Sequence, residues 1–401
     1  MRILIFRPDN IGDVVLFSGA FKHIRVLYPD AHITLAVQKH IVNLVESCPQ
    51  IDKVISLGQL KRSYLVERIS RPSRNIFKRI IKKLIRAYNA SFRRFDIIIY
   101  PVKSPQVNHL RVLNALKGRK IYGITGCTLN EPRNGYPSNL HPVQLYTNNY
   151  NVTKFDPWVH ELIVTADFLT HLGCQVSSID EILPEFWLHD GEVDHLSSVK
   201  EQGRPIVGLF PGATSELRRW PSVNYGNLAQ MMGESYLYVI FGSEAEQGLA
   251  AQIQRHIEQA GADFNVLNLA GQTTLRELVK NISLCDLLVS MDSSGLHIAI
   301  AAGIPTVGIV GGGHYGRFVP WGNNDRNVFL IKSLDCYHCN WFCTRDFPEC
   351  VHGVCPHEVA ETAERLLMNQ RVNAKLRASL KVLGHTVPSV ETRDGVSLGP
   401  A

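Results

Sequence analysis

The side chains able to do chemistry in this chain sit in short loops that follow apolar runs. Asp13 closes the first of them, Arg7-Pro-Asp-Asn-Ile-Gly-Asp13, directly after the run Arg2 to Phe6. Beside Gly12, a short loop can present that carboxylate to a cleft, or the same group can cap a helix that the pattern starts at Val14. The second loop, Pro211-Gly-Ala-Thr-Ser-Glu-Leu-Arg-Arg-Trp-Pro221, offers small residues from Gly212 to Ser215 whose backbone N–H groups can cradle a phosphate. Thr214 and Ser215 add hydroxyls, and Arg218 and Arg219 add cations. The third, Met291-Asp-Ser-Ser-Gly-Leu-His297, turns from an apolar strand into a tightly packing run and aims N–H groups upward at a helix start. Phe241-Gly-Ser-Glu-Ala-Glu246 ends a further strand with acids suited to two ribose hydroxyls, or to favourable placement in a helix's first turn.

Two other clusters are chemically distinct. Cys336, Cys339, Cys343, Cys350 and Cys355, interleaved with His338, His352 and His357, have ligand types and spacing suited to a structural zinc or iron site. Free or disulfide-forming thiols fit the same spacing, because the second C-x2-C pair of a full four-cysteine site is missing. Ile76, Phe77, Ile80, Ile81, Leu84, Ile85 and Tyr88 recur at helical spacing, with Lys78, Arg79, Lys82, Lys83 and Arg86 between them. Such a basic amphipathic helix can lie in an anionic headgroup layer or pack its apolar stripe on the protein.

The elements that must position these loops alternate apolar strands with helical stretches. Arg2 to Phe6, Ile33 to Val37, Val54 to Leu57 and Ile97 to Tyr100 are expected strands of a parallel sheet covered on both faces, with a helical pattern from Val14 to Leu27. The same grammar restarts at Ile206 to Phe210 and continues through a helix near Tyr225 to Met232, then Tyr236 to Phe241, Leu287 to Ser290 and Thr306 to Val310. An irregular connection near residues 180–203 separates the two halves, and ligands of such sheets bind at the carboxyl ends of strands. The fold class is therefore α/β, with two Rossmann-like domains facing a central cleft: residues 1–185, including a basic segment 61–94, and residues 200–357, including the cysteine-rich segment 336–355. A helix over 358–385 that returns toward the first domain and a flexible tail over 386–401 complete the expected layout.

At 401 residues the chain suits two domains, and 45% apolar against 19% charged residues is globular composition. The net charge of +6 is local: residues 61–94 hold twelve Lys or Arg against the single acid Glu67. That concentration fits an anionic partner at one face and excludes the spread basic groove of a nucleic-acid protein. No run of 18 apolar residues and no signal-peptide pattern occurs, so a cytoplasmic protein with reduced or metal-bound cysteines is expected.

Taken in order, the three loops and Ala302-Gly-Ile-Pro305 behind the third resemble glycosyltransferase family 9, which includes the heptosyltransferases of lipopolysaccharide core assembly. The resemblance runs from residue 1 to about 370 and implies a GT-B fold and inverting transfer from a nucleotide-diphosphate sugar, with ADP-heptose the first expectation; a transferase using another nucleotide sugar, or a non-catalytic cysteine-rich binding or assembly protein on the same fold, is the alternative. It implies Asp13 as the catalytic base on the acceptor hydroxyl. Arg218 stands where many members carry Lys and would neutralise the leaving diphosphate, with the charge kept and the donor geometry changed. Thr214, Ser215, Ser293, Ser294 and Gly295 would touch phosphate, Asp292 and His297 would orient the sugar or diphosphate, and Glu246 rather than Glu244 would hold the ribose. His297 as a packed core histidine is the alternative. A lipid-linked glycan acceptor, an anionic membrane surface at the inner face of a bacterial inner membrane and no cofactor for catalysis complete what the resemblance implies.

Overall fold

A computed structural model describes residues 1–64, 95–116, 120–127, 129, 131–132, 135–188, 191 and 193–382, of which 62–64 and 371–382 are described by backbone alone. The basic amphipathic stretch with Lys78, Arg79, Lys82, Lys83 and Arg86, and the tail 386–401, lie outside the described residues.

Each half is built on a six-stranded sheet. The first contains β1 (Arg2–Phe6), β2 (His32–Val37), β3 (Lys53–Ser56), β4 (Ile97–Tyr100), β5 (Lys120–Thr125) and β6 (Asn148–Asn151), in the order 3-2-1-4-5-6. The second contains β7 (Ile206–Phe210), β8 (Leu237–Ile240), β9 (Asn265–Asn268), β10 (Leu287–Met291), β11 (Thr306–Ile309) and β12 (Asn327–Leu330), in the order 12-11-10-7-8-9. All strand pairs are parallel. The two orders are the same doubly wound pattern, with its reversal between β1 and β4 in one half and between β7 and β10 in the other. Central strands are apolar throughout, as in Ile97–Tyr100 and Ile206–Phe210, because both of their faces are covered.

The expected helix from Val14 to Leu27 is two helices, α1 (Ile11–Phe17) and α2 (Ala20–Leu27). The chain breaks between them at Ser18-Gly19. Gly19 lies under the carbonyls of Ile182 and Leu183, where any Cβ would clash, and Ser18 Oγ accepts from Glu185 N at 2.8 Å. The break is thus made by the segment that leaves the first half, which the local pattern does not reveal. Four strands absent from the sequence reading, β5, β6, β9 and β12, lie away from the reversal points; β6, Asn-Asn-Tyr-Asn, has almost no apolar signal to read.

A connection running to about residue 203 joins the halves, and one apolar cluster passes through both, from Val14 and Phe168 to Phe210, Leu296 and Val310. The long helix α7 (Pro356–Val382) buries Val359, Ala363, Leu366 and Leu367 against the second half, and Gln370 Nε2 donates to Asp286 O at 3.0 Å. Its described side chains therefore pack on the half they follow in sequence. Among the described residues no helix is long and apolar enough to cross a membrane.

Candidate active site

The carboxyl ends of β1 and β10 face each other, so two helix N-termini meet across the cleft: that of α1 and that of α6 (Ser294–Ala301). Gly12 permits the approach. A methyl group on it would sit 3.2 Å from His297 Cδ2. Asp13 occupies the first turn of α1 and its Oδ2 accepts from Asn10 N at 3.3 Å, so the carboxylate closes the helix start from inside rather than capping a helix that begins at Val14.

Around Asp13 lies a buried belt of charge. The Arg7 guanidinium pairs with Asp9 at 3.0 Å and donates to the backbone carbonyls of Asp13 (2.9 Å) and Pro101 (2.5 Å), which ties the loop to β4. Lys103, almost fully buried, donates to Pro157 O and Val159 O at 2.8 and 3.2 Å. Arg317 of the second half pairs with Glu161 at 2.7 Å, and its carbonyl accepts from Glu161 N at 2.8 Å, a two-point clasp between the halves. Burial raises the Asp13 carboxyl above its ordinary range, Arg7 and Arg317 opposing it and Glu161 adding to it. Burial pushes Asp9 up to about 7 despite the nearby Arg7. Glu161 goes the other way: Arg317 and Lys103 hold it low and outweigh its burial.

In the second half, Arg218 spans the two loops that flank the β7/β10 reversal. Its Nη2 donates to the Asp292 carbonyl and lies 3.4 Å from Asp292 Oδ2, and its guanidinium sits 5.2 Å from the Trp341 ring. Its Nε is buried without a hydrogen-bond partner, as is Ser293 Oγ. Open valences of this kind are costly and mark where a ligand or ordered water belongs. Arg219 does a different job: Nε and Nη2 both donate to Ala213 O, at 3.1 and 3.0 Å, and fix the loop. Trp220 is buried and donates to Val354 O at 3.0 Å, anchoring the loop's far end just before the helix α4 (Ser222–Met232). Thr214 is exposed, Ser215 and Ser294 are half-buried, and Asp292 is buried. Gly295 packs against the Phe210 ring where a Cβ would collide, a steric demand that comes in addition to its N–H group.

Glu246 precedes the helix α5 (Gln247–Ala260), and its Oε2 accepts from Ser243 N and Oγ at 2.7 and 2.8 Å. Its carboxylate lies over Gly212, whereas Glu244 is exposed. Both readings of His297 have a counterpart. It is buried, its Nδ1 accepts from Trp321 Nε1 at 3.0 Å, and burial lowers its pKa to about 4. The ring is therefore a neutral tautomer with N–H on Nε2, on the side that meets Gly12.

Cys336, Cys339, Cys343 and Cys350 line one small cavity with Tyr337 and Trp341, while Cys355 is exposed and apart from it. Among the described residues no three His, Cys, Asp or Glu side chains converge to hold a metal ion. The loop is instead fastened to the glycines after β11: His338 N donates to Gly312 O at 2.8 Å and Asn340 N to Gly313 O at 3.1 Å. His338, Asn340 and Trp341 all adopt positive φ, and Trp341 lies flat on Gly311 and Gly313 where no Cβ would fit. The four thiols around this cavity have the chemistry of soft-ion ligands.

Sequence reasoning missed Arg7, Asp9, Lys103, His160, Glu161 and Arg317. Arg7 and Asp9 were visible in the first loop; the other four lie where no periodic pattern marks a cleft.

The profile of "Glycosyltransferase family 9 (heptosyltransferase)" matches residues 124–341. The lipooligosaccharide heptosyltransferase 2 of Campylobacter jejuni is 29% identical over 177 residues, 43% of this chain and 54% of that protein. The lipopolysaccharide core heptosyltransferase OpsX of Haemophilus influenzae is 32% identical over 333 residues, 82% of this chain and 84% of that protein. Among solved structures, ADP-heptose lipopolysaccharide heptosyltransferase II of E. coli superposes with a TM-score of 0.65 at 20% identity, covering 92% of this chain and all of that one.

Proposed function

Since the chain belongs to glycosyltransferase family 9 and has its two-domain GT-B fold, we propose that it transfers a heptose from ADP-heptose, with inversion, to a sugar hydroxyl of a lipopolysaccharide core. The observation that supports this reading most is the meeting of Asp13 with the Arg218–Asp292–Ser293 group across one cleft, at the reversal points of both sheets.

In this reading the acceptor hydroxyl gives its proton to Asp13 as its oxygen bonds to the anomeric carbon. The bond from that carbon to the diphosphate oxygen breaks, and its electron pair leaves with ADP. A carboxyl raised by burial is the better base near neutral pH, since its proton affinity approaches that of the medium. Arg218, with an unpaired Nε, and the α6 N-terminus with Ser293, Ser294 and Gly295 take up the charge that develops on the diphosphate. Thr214 and Ser215 border the same loop. Glu246 would turn its unshared Oε1 to the ribose, and the neutral Nε2–H of His297 would donate to a diphosphate or sugar oxygen. No catalytic cofactor enters the scheme. The cysteine loop is assigned a structural role, and zinc or iron taken up there would act on the loop's rigidity; metal analysis of the purified protein against Cys339→Ser tests this.

The lipid-linked acceptor gives the basic segment 61–94 its task, docking at an anionic inner membrane face with on the order of 1 kcal/mol per cation. Sedimentation with phosphatidylglycerol vesicles tests it: K82E/K83E is expected to bind less, and unchanged binding would remove the segment from that role.

Thermal unfolding with ADP, UDP, GDP and dTDP tests the donor. A ligand of the native state raises the apparent stability, so ADP alone is expected to raise Tm, with ADP-heptose raising it further. A selective shift with another nucleotide would replace the donor.

A further inference from the structure

Three more polar side-chain atoms are buried and have no hydrogen-bond partner: Nε2 of His160, Nδ1 of His314 and Nε1 of Trp341. Their hydrogen-bonding senses are fixed by what the rest of each ring does. His160 precedes the helix α3 (Glu161–Leu172), and its Nδ1 accepts from Leu162 N at 3.2 Å, so the ring proton is on Nε2 and that atom is a donor. The Phe318 carbonyl influences this ring without reaching hydrogen-bond geometry. His314 Nε2 lies 2.8 Å from Asn340 Oδ1 and donates to it, which leaves Nδ1 as an acceptor. Trp341 Nε1 can only donate.

These atoms belong to one neighbourhood. The His314 and Trp341 rings are 5.9 Å apart, Trp341 carries the Arg218 guanidinium, and His314 also lies 6.0 Å from Trp158 of the first half. His160 comes from the first half too, and the backbone ties its segment to that of His314: Glu161 N donates to Arg317 O at 2.8 Å, and Arg317 N donates to His314 O at 3.0 Å. Two donors and one acceptor set among aromatic rings, and carrying no formal charge, do not match a phosphate, which only accepts and prefers cations. They match adjacent hydroxyl groups on a carbon ring, which both donate and accept and whose C–H faces pack on aromatics. The arrangement lies beside the cation assigned to the diphosphate, where the group attached to that diphosphate would lie.

We propose that His160 Nε2, His314 Nδ1 and Trp341 Nε1 form the subsite that receives the hydroxyl groups of the transferred sugar. This deepens the donor reading above and rests on it. The subsite takes one contact from the first half and two from the second, so a seated sugar bonds to both halves, whereas ADP alone engages the second. Low pKa values of about 4 for His314, and a lowered one for His160, keep the rings neutral across the working range.

His160→Asn separates this role from helix capping, because an Asn oxygen still accepts from Leu162 N while the Nε2 donor is lost. Trp341→Phe keeps an aromatic ring in the glycine loop and removes the N–H together with part of the indole, so its ADP affinity is the control for packing. Calorimetric titration of the full chain and both variants with ADP and with ADP-heptose reads the claim. Each variant is expected to bind ADP as the parent does and to bind ADP-heptose about three- to tenfold more weakly, the effect of one lost hydrogen bond. ADP-heptose affinity equal to the parent's in both variants would overturn the subsite, and an equal loss for ADP and ADP-heptose would move these residues to the nucleotide. A parent that binds neither ligand would sink the donor reading, and the subsite with it.

Discussion

The two halves share one strand order and differ in what they place where that order reverses. At the β1/β4 point, the side chains are charged and most meet an opposite charge or a carbonyl: Arg317 with Glu161, Lys103 with two carbonyls, Asp13 held by the Asn10 amide, and Arg7 with Asp9 in an ion pair whose Nε and Oδ2 fall short of hydrogen-bond geometry. At the β7/β10 point, the groups are a helix N-terminus, one cation and neutral rings, several with open valences. The same topology thus supports opposite strategies. A base must be fixed and its proton affinity tuned by burial and neighbours, whereas a donor site must keep unsatisfied groups for a ligand to complete.

The contrast can be broken first at its cation. Arg218→Ala is expected to cost about a hundredfold or more in kcat, with Arg218→Lys recovering part of it, since a point charge replaces the guanidinium fork. Steady-state kinetics with ADP-heptose checks this, and a loss confined to KM would shift Arg218 from charge stabilisation to ground-state binding. Packing comes next. Gly295→Ala is expected to lose about 1–3 kcal/mol of stability in denaturant unfolding, because its methyl meets the Phe210 ring.

The charged half is sharpened by pH. Asp9 titrates near 7 in the fold and near 3.8 when unfolded, so between these values the native state keeps a proton that the unfolded chain has lost. Its contribution therefore falls as pH rises through that window. His297 and His314, lowered to about 4, act oppositely between pH 4 and 6.5, where the unfolded chain takes up protons that the buried rings refuse. Comparing Tm against pH in the parent and in Asp9→Asn isolates the first effect: the variant should gain relative to the parent from pH 5 to pH 8. A constant difference would contradict a carboxyl that burial keeps protonated up to about pH 7. The smallest effect is expected from Arg219→Ala, about 1 kcal/mol of stability from losing the Ala213 tether, with ADP affinity unchanged.

The contrast also explains what could be read from sequence. Loops that follow strongly apolar central strands, such as those carrying Asp13, Arg218 and Asp292, announce themselves because a buried parallel strand has an unmistakable apolar run. The edge strands Asn148–Asn151 and Asn265–Asn268 do not, being half solvated. Glu161 and Arg317 act only because the halves meet, and no local pattern encodes a contact between residues 156 positions apart, nor the one that brings Lys103 to Pro157. Gly295 reads from the sequence as a phosphate contact, and the Phe210 ring adds a demand for its small size that no local pattern shows. The cysteines read as ligands by type, while their loop is shaped by aromatic rings lying on three glycines.

The central claim is that the base of one half acts on a donor held by the other. Transfer from ADP-heptose by Asp13→Asn, measured alongside ADP-heptose affinity in the same preparation, tests it most directly. A fall in transfer of about 10²–10⁴-fold with affinity preserved is the predicted result. Transfer at the parent's rate would contradict it and take Asp13 out of the base role.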